Sequence, residues 1–236
     1  MNPEDLVEDL QEMLGDWLES VVLFGSAVAG DYKGKFSDYN ILLVTKELCV
    51  HVLDSIAPVT KEWVKHGNPA PLLFTVDRLK KSTDVFPIEL LDIRDNRKIL
   101  YGNDPFQDMI FSDANLRLEL EHELKGKMLQ LREKYLLVAG NPEAVLELML
   151  ESSSTFLVLF RASLRLLDKE TPACKMDALE LLAKRLNIDI SVFKTLDDIK
   201  NGSIKKRDVA PFTLFQEYLE RIEDVVDTID DYDVEG

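Results

Sequence analysis

Gly25 and Ser26 end an apolar run, Val21-Val22-Leu23-Phe24, and after a short loop Ser37 and Asp38 lead into another, Ile41-Leu42-Leu43-Val44. The first pair suits phosphate handling. Glycine lets the backbone turn sharply and approach a ligand closely, and a serine at a helix start sits where free N–H groups and the helix dipole favour anions. The second pair suits a metal. Side chains on a strand alternate with period two, so an acid two residues beyond Asp38 would project to the same side and share in holding Mg²⁺. Position 40, however, is Asn. Its amide oxygen can ligate Mg²⁺ but brings no negative charge.

The elements that must position these residues follow from hydrophobic periodicity. Leu6, Leu10, Met13, Leu14 and Trp17 recur at spacings of three and four, which predicts an amphipathic helix over 3–19. "SVVLFG" and "YNILLVT" read as buried strands, the second apolar enough to be covered on both faces. A helix over about 46–65 is expected to break or restart near Pro58, and "PLLFTVD" and "PIELLDI" read as two further strands. Turn chemistry in Gly102-Asn103-Asp104-Pro105 then marks a boundary. Beyond it the pattern is helical throughout: a long periodic stretch stopping at Gly140, a second opening at Pro142 and apolar around most of its circumference, then three shorter helices. The expectation is an α+β chain, with a mixed α/β domain over residues 1–110 and an all-α helical bundle over 111–236.

Composition excludes several function classes. The chain has 236 residues with 28 basic against 44 acidic, a net charge of −16 shared by both halves. Affinity for nucleic acid rests mainly on phosphate neutralisation by Lys and Arg, so no nucleic-acid partner is expected, despite a local basic patch over 200–208. An acidic surface favours cationic partners, and it also keeps a protein soluble. No window approaches the ~20 uninterrupted apolar residues of a membrane helix, and the N-terminus is acidic where a signal peptide is basic and then apolar. These features predict a cytoplasmic protein with no membrane association. Cys49 and Cys174 form no Cys-x-x-Cys pair and read as reduced thiols, and His51, His66 and His122 have no metal-ligand spacing.

A strand, Gly-Ser, a loop, then Ser-Asp-x-x and an apolar strand resembles the signature of the nucleotidyltransferase superfamily with a DNA polymerase beta type palm. Gly25, Ser26, Gly30, Ser37, Asp38 and the run 41–44 carry the likeness. It is sharpest to the aminoglycoside and minimal nucleotidyltransferases, in which the α/β domain is followed by a helical bundle. The resemblance implies ATP at Gly25, Ser26 and Ser37, and Mg²⁺ at Asp38 and position 40. Two such ions would bridge the nucleotide phosphates and the attacking oxygen. It also implies a third acid at the start of "PLLFTVD", where Pro71 and Leu72 stand instead. Glu89 and Asp92, read as lying on the next strand, are substitutes, and Asp31 in the loop is another.

Tyr135, Arg161 and Arg165 are candidates for a groove between the domains. The two arginines lie one helical turn apart and are available either to a triphosphate or to nearby acids. The serines of "ESSSTF", a polar notch in an apolar helix, either bond the preceding turn or permit close helix packing. Asn40 and the missing third acid together point to a nucleotidyltransferase fold with weakened or abandoned two-metal chemistry. On that expectation the protein holds a nucleotide or a small cationic ligand, or regulates a partner. An active transferase, adenylylating a small hydroxylated acceptor or a protein, is the alternative, and one half of a toxin–antitoxin pair is a third reading. A homodimer stays open.

Overall fold

The computed structural model describes residues 1–29, 38–169 and 171–234. The chain divides into two compact units, Met1–Ser112 and Asp113–Gly236.

The first unit opens with α1 (Pro3–Leu14). Asn2 caps it by accepting from Asp5 N–H at 2.8 Å while the Asp5 carboxylate accepts from Asn2 N–H at 3.0 Å, a reciprocal arrangement that satisfies two orphan donors. Leu6, Leu10 and Leu14 form its buried stripe. The helix expected to reach residue 19 ends earlier, at Gly15, and one 3₁₀ turn over Gly15–Trp17 delivers the chain into β1 (Leu18–Phe24). After α2 (Ser26–Ala29) come β2 (Asn40–Thr45), α3 (Val50–Lys65), β3 (Leu72–Thr75), α4 (Val76–Lys81), α5 (Pro87–Asp95) and β4 (Arg97–Gly102).

The sheet runs β3-β2-β1-β4. β1 is antiparallel to both β2 and β4, while β2 and β3 are parallel, joined through α3. Alternation along the two central strands splits the core in two. Val21, Leu23, Ile41 and Leu43 pack with Leu6, Leu10, Ile56 and Trp63 on one face. Val22, Leu42 and Val44 pack with Leu79, Leu90, Ile93 and Phe106 on the other. β2 is thus covered on both sides, as its continuous apolar run requires.

Two local expectations are corrected and one element is added. "PIELLDI" is helical, not a strand, so Glu89 and Asp92 lie on α5. Pro87 opens that helix, where its fixed φ and missing N–H cost nothing, and Ile88/Leu91 and Leu90/Ile93 bury at spacing three. Pro58 leaves α3 unbroken. It lies on the exposed side, while Val52, Ile56, Val59 and Trp63 anchor the opposite face. The stretch 97–102, with no element predicted from the sequence, is the strand β4. Its end runs tight against β1: Gly102 has φ +74°, and a Cβ there would lie 1.9 Å from the Glu19 carbonyl oxygen.

The second unit consists of α6 (Asp113–Val138), α7 (Pro142–Asp168), α8 (Lys175–Leu186), α9 (Ser191–Lys200) and α10 (Pro211–Asp230). Asn141 caps α7 by accepting from Glu143 and Ala144 N–H, each at 3.2 Å. α7 is the hub, packing against α6, α8, α9 and α10, which is why it is apolar around most of its girth. Phe156, Phe160, Phe193 and Tyr218 form a continuous aromatic cluster with centroid separations of 5.2–6.2 Å. The Tyr218 hydroxyl meets Ser152 Oγ at 3.0 Å. Among the described residues no helix is long and apolar enough to cross a membrane.

Candidate functional site

The site is assembled where β1 ends and β2 begins. Phe24 pairs with Asn40 on one side and Arg97 on the other, so the residue after Phe24 leaves the sheet opposite Asn40. That residue is Gly25, with φ +82°. Its N–H donates to the Asn96 carbonyl at 3.1 Å, and its own carbonyl accepts from Val28 N–H at 2.9 Å, closing the turn into α2. A Cβ on Gly25 would approach Asn40 Nδ2 to 3.2 Å. The turn and the amide of Asn40 are therefore neighbours.

Asp38 is exposed and precedes the strand, which starts at Asn40. The segment carrying it is held from the side. Tyr39 N–H donates to Asn68 Oδ1 at 3.1 Å, and the Tyr39 ring lies 6.2 Å from that of the fully buried Trp63. Trp63 in turn donates from Nε1 to the Pro69 carbonyl at 2.9 Å, fixing the chain between α3 and β3.

Sequence reasoning missed the two buried asparagines that hold this arrangement. Asn68 grips the 38–40 segment through its side chain. Asn96 ends α5, donating to the Asp92 carbonyl from its backbone N–H at 3.1 Å and from Nδ2 at 3.3 Å, and its carbonyl accepts from Gly25. The only available signal was an Asn in a turn context, which many unrelated turns share.

The remaining candidates are dispersed. Glu89 is exposed in the first turn of α5, and Asp92 lies half-buried one turn on. β3 consists of Leu72, Leu73, Phe74 and Thr75 and carries no acid. Ser37 and Asp31 lie outside the described residues, as does Gly30, while Ser26 begins α2. Among the described residues no three His, Cys, Asp or Glu side chains cluster as a metal site. Cys49 and Cys174 are both free thiols.

Arg161 and Arg165 belong to the helical unit and are buried, at 6% and 4% exposure. Arg161 Nη1 donates to the Ala173 carbonyl at 2.7 Å and Arg165 Nη2 to Thr171 Oγ1 at 3.1 Å. Both therefore brace the connection from α7 to α8. Tyr135 stacks on Phe215 with centroids 4.2 Å apart.

No family model and no curated protein sequence matches the chain. Its structure is similar to that of spectinomycin adenyltransferase AAD(9) from Enterococcus faecialis, solved with ATP and spectinomycin. The likeness has a TM-score of 0.58 at 11% identity and covers 97% of this chain and 100% of that one. With β1, the Gly25 turn and β2 arranged as described, and the helical unit included in the likeness, the chain has the nucleotidyltransferase fold.

Proposed function

We propose that this chain is a nucleotidyltransferase-fold protein whose two-metal chemistry is weakened or lost, and that it binds a nucleotide or a small ligand in a regulatory role. The observation that carries the reading is Asn40, placed against Gly25 at the start of β2, where the layout asks for a second carboxylate. Asp38 then stands as the single anion of the pair, and β3 offers no acid to join it. That donor set does not fit a pair of divalent cations, which bring four positive charges. Even disturbing outer partners of a metal ligand typically costs ~10–100-fold in affinity, and removing a ligand's charge costs at least that. The Gly25–Ser26 turn loses nothing by the change, because backbone N–H groups bind phosphate without a metal.

The test is a titration of the full chain with ATP, with and without Mg²⁺, beside an assay for transfer of labelled AMP to candidate acceptors. ATP affinity is expected to depend little on Mg²⁺, with no transfer. Asn40→Asp is expected to make binding Mg²⁺-dependent. Mg²⁺-dependent transfer by the unaltered chain would overturn the proposal.

A second reading, an active Mg²⁺-dependent enzyme moving AMP from ATP to a small hydroxylated acceptor, is favoured by a likeness that covers 97% of this chain and 100% of an adenyltransferase solved with ATP and spectinomycin. Asp38 would then hold one ion with Glu89 or Asp92, and Asp38→Ala would abolish turnover.

A further inference from the structure

The run Ser152-Ser153-Ser154-Thr155 interrupts the large apolar residues of α7. Part of it bonds the preceding turn: Ser152 Oγ donates to the Leu148 carbonyl at 2.8 Å and Ser153 Oγ to the Leu150 carbonyl at 3.2 Å. Toward α6 the side chains of this run are small. They leave a half-open cavity of about 180 Å³ between the two helices. Its floor is Leu131, Leu148 and Phe156, all buried, and every lining residue belongs to the helical unit. By volume the space holds one ring or a branched aliphatic group, and six of its nine lining residues, Lys127, Gln130, Lys134, Glu151, Ser152 and Thr155, are polar or charged.

The rim carries charge of both signs. Lys127 and Lys134 border the cavity from α6, and Glu151 borders it from α7. Lys127 already has a carboxylate, Glu123, at 3.6 Å. Lys134 and Glu151 are exposed, and neither makes an ion pair among the described residues, with each other or elsewhere. Ser152 and Thr155 add hydroxyls on the α7 side. One unpaired cation from α6 and one unpaired anion from α7 thus border the same cavity.

We propose that this cavity is a binding site for a small zwitterion with an apolar body, of the α-amino acid class. The carboxylate pairs with Lys134, the ammonium with Glu151, and the side chain covers Leu131, Leu148 and Phe156.

Calorimetric titration of the full chain with L-phenylalanine tests this, beside 3-phenylpropanoate and 2-phenylethylammonium, each of which lacks one of the two charges. A low-millimolar dissociation constant is expected for the zwitterion, the affinity that about a dozen non-hydrogen atoms supply at ordinary ligand efficiency. Each singly charged probe should bind roughly two- to five-fold more weakly, the range of an exposed charge pair. Lys134→Gln and Glu151→Gln replace exposed side chains that hold nothing in the fold, and each should weaken phenylalanine by the same factor. Lys134→Gln should leave 2-phenylethylammonium unaffected, and Glu151→Gln should leave 3-phenylpropanoate unaffected. Absence of binding at about 20 mM, equal affinity for the three probes, or unchanged affinity in both variants would overturn the proposal.

Discussion

Replacing Gly25 with alanine probes the centre of the candidate site through stability alone, with no assumption about a ligand. Two costs are visible. At φ +82° an L-residue occupies the left-handed region, which costs roughly 1–2 kcal/mol for any side chain with a Cβ. The new methyl would also lie 3.2 Å from Asn40 Nδ2, so the amide must move away from the turn. Gly25→Ala should therefore destabilise the first unit by about 1–2 kcal/mol and lower its melting temperature by on the order of 5 °C. Both tryptophans, Trp17 and Trp63, lie in this unit, so urea unfolding followed by tryptophan fluorescence reports on it selectively. The contact with Asn40 is separable by a double-mutant cycle. With Asn40→Ala in place the crowding disappears, and Gly25→Ala should cost about 0.5 kcal/mol less than in the parent. A neutral Gly25→Ala, or strictly additive substitutions, would refute the claim that the amide of Asn40 lies over the turn.

Two further outcomes are expected. Gly102→Ala forces a methyl to 1.9 Å from the Glu19 backbone oxygen in addition to the φ +74° cost, so a loss of about 3 kcal/mol or more should appear in the same fluorescence assay. Burial disfavours the Asp104 carboxylate, but hydrogen bonds from Arg97 and from Phe106 N–H, together with the Arg97 charge, outweigh it and hold its pKa below the ordinary value. A depressed folded-state pKa contributes stability above the unfolded value and loses it as pH falls through the folded one. Asp104→Asn should accordingly be less stable than the parent at pH 7, with the gap starting to close below about pH 4 and vanishing only once pH falls under the lowered folded-state pKa, where both carry a neutral side chain.

How much of this was legible in the sequence depends on where each decision is made. Periodic patterns long enough to average over context, such as those of α6, α7 and α10, mark helices whatever surrounds them. The apolar runs of β1 and β2 likewise declare buried strands, and that of β2 one covered on both faces. Short segments are different: over seven residues "PIELLDI" satisfies a strand and a helix equally, and only packing of Leu90 and Ile93 against Val22, Leu42 and Val44 selects the helix. β4 carries little pattern of its own, and pairing with β1 defines it. Pro58 shows the reverse, a local breaker overridden because the buried face of α3 holds the helix across it.

The site divides along the same line. Chain order alone places a Gly-Ser turn before Asp38 and reveals an amide at position 40, because residue identity and spacing require no third dimension. That Asn40 lies beside Gly25, that Asn96 just past α5 and Asn68 in the connection from α3 to β3 grip the two limbs of the site, and that Arg161 and Arg165 donate to Ala173 and Thr171 in the α7–α8 connection are facts of tertiary contact. Such contacts join residues of different elements, from 6 to 71 positions apart, and the free energy that decides them comes from burial and hydrogen-bond satisfaction across elements, quantities that no local stretch of sequence contains.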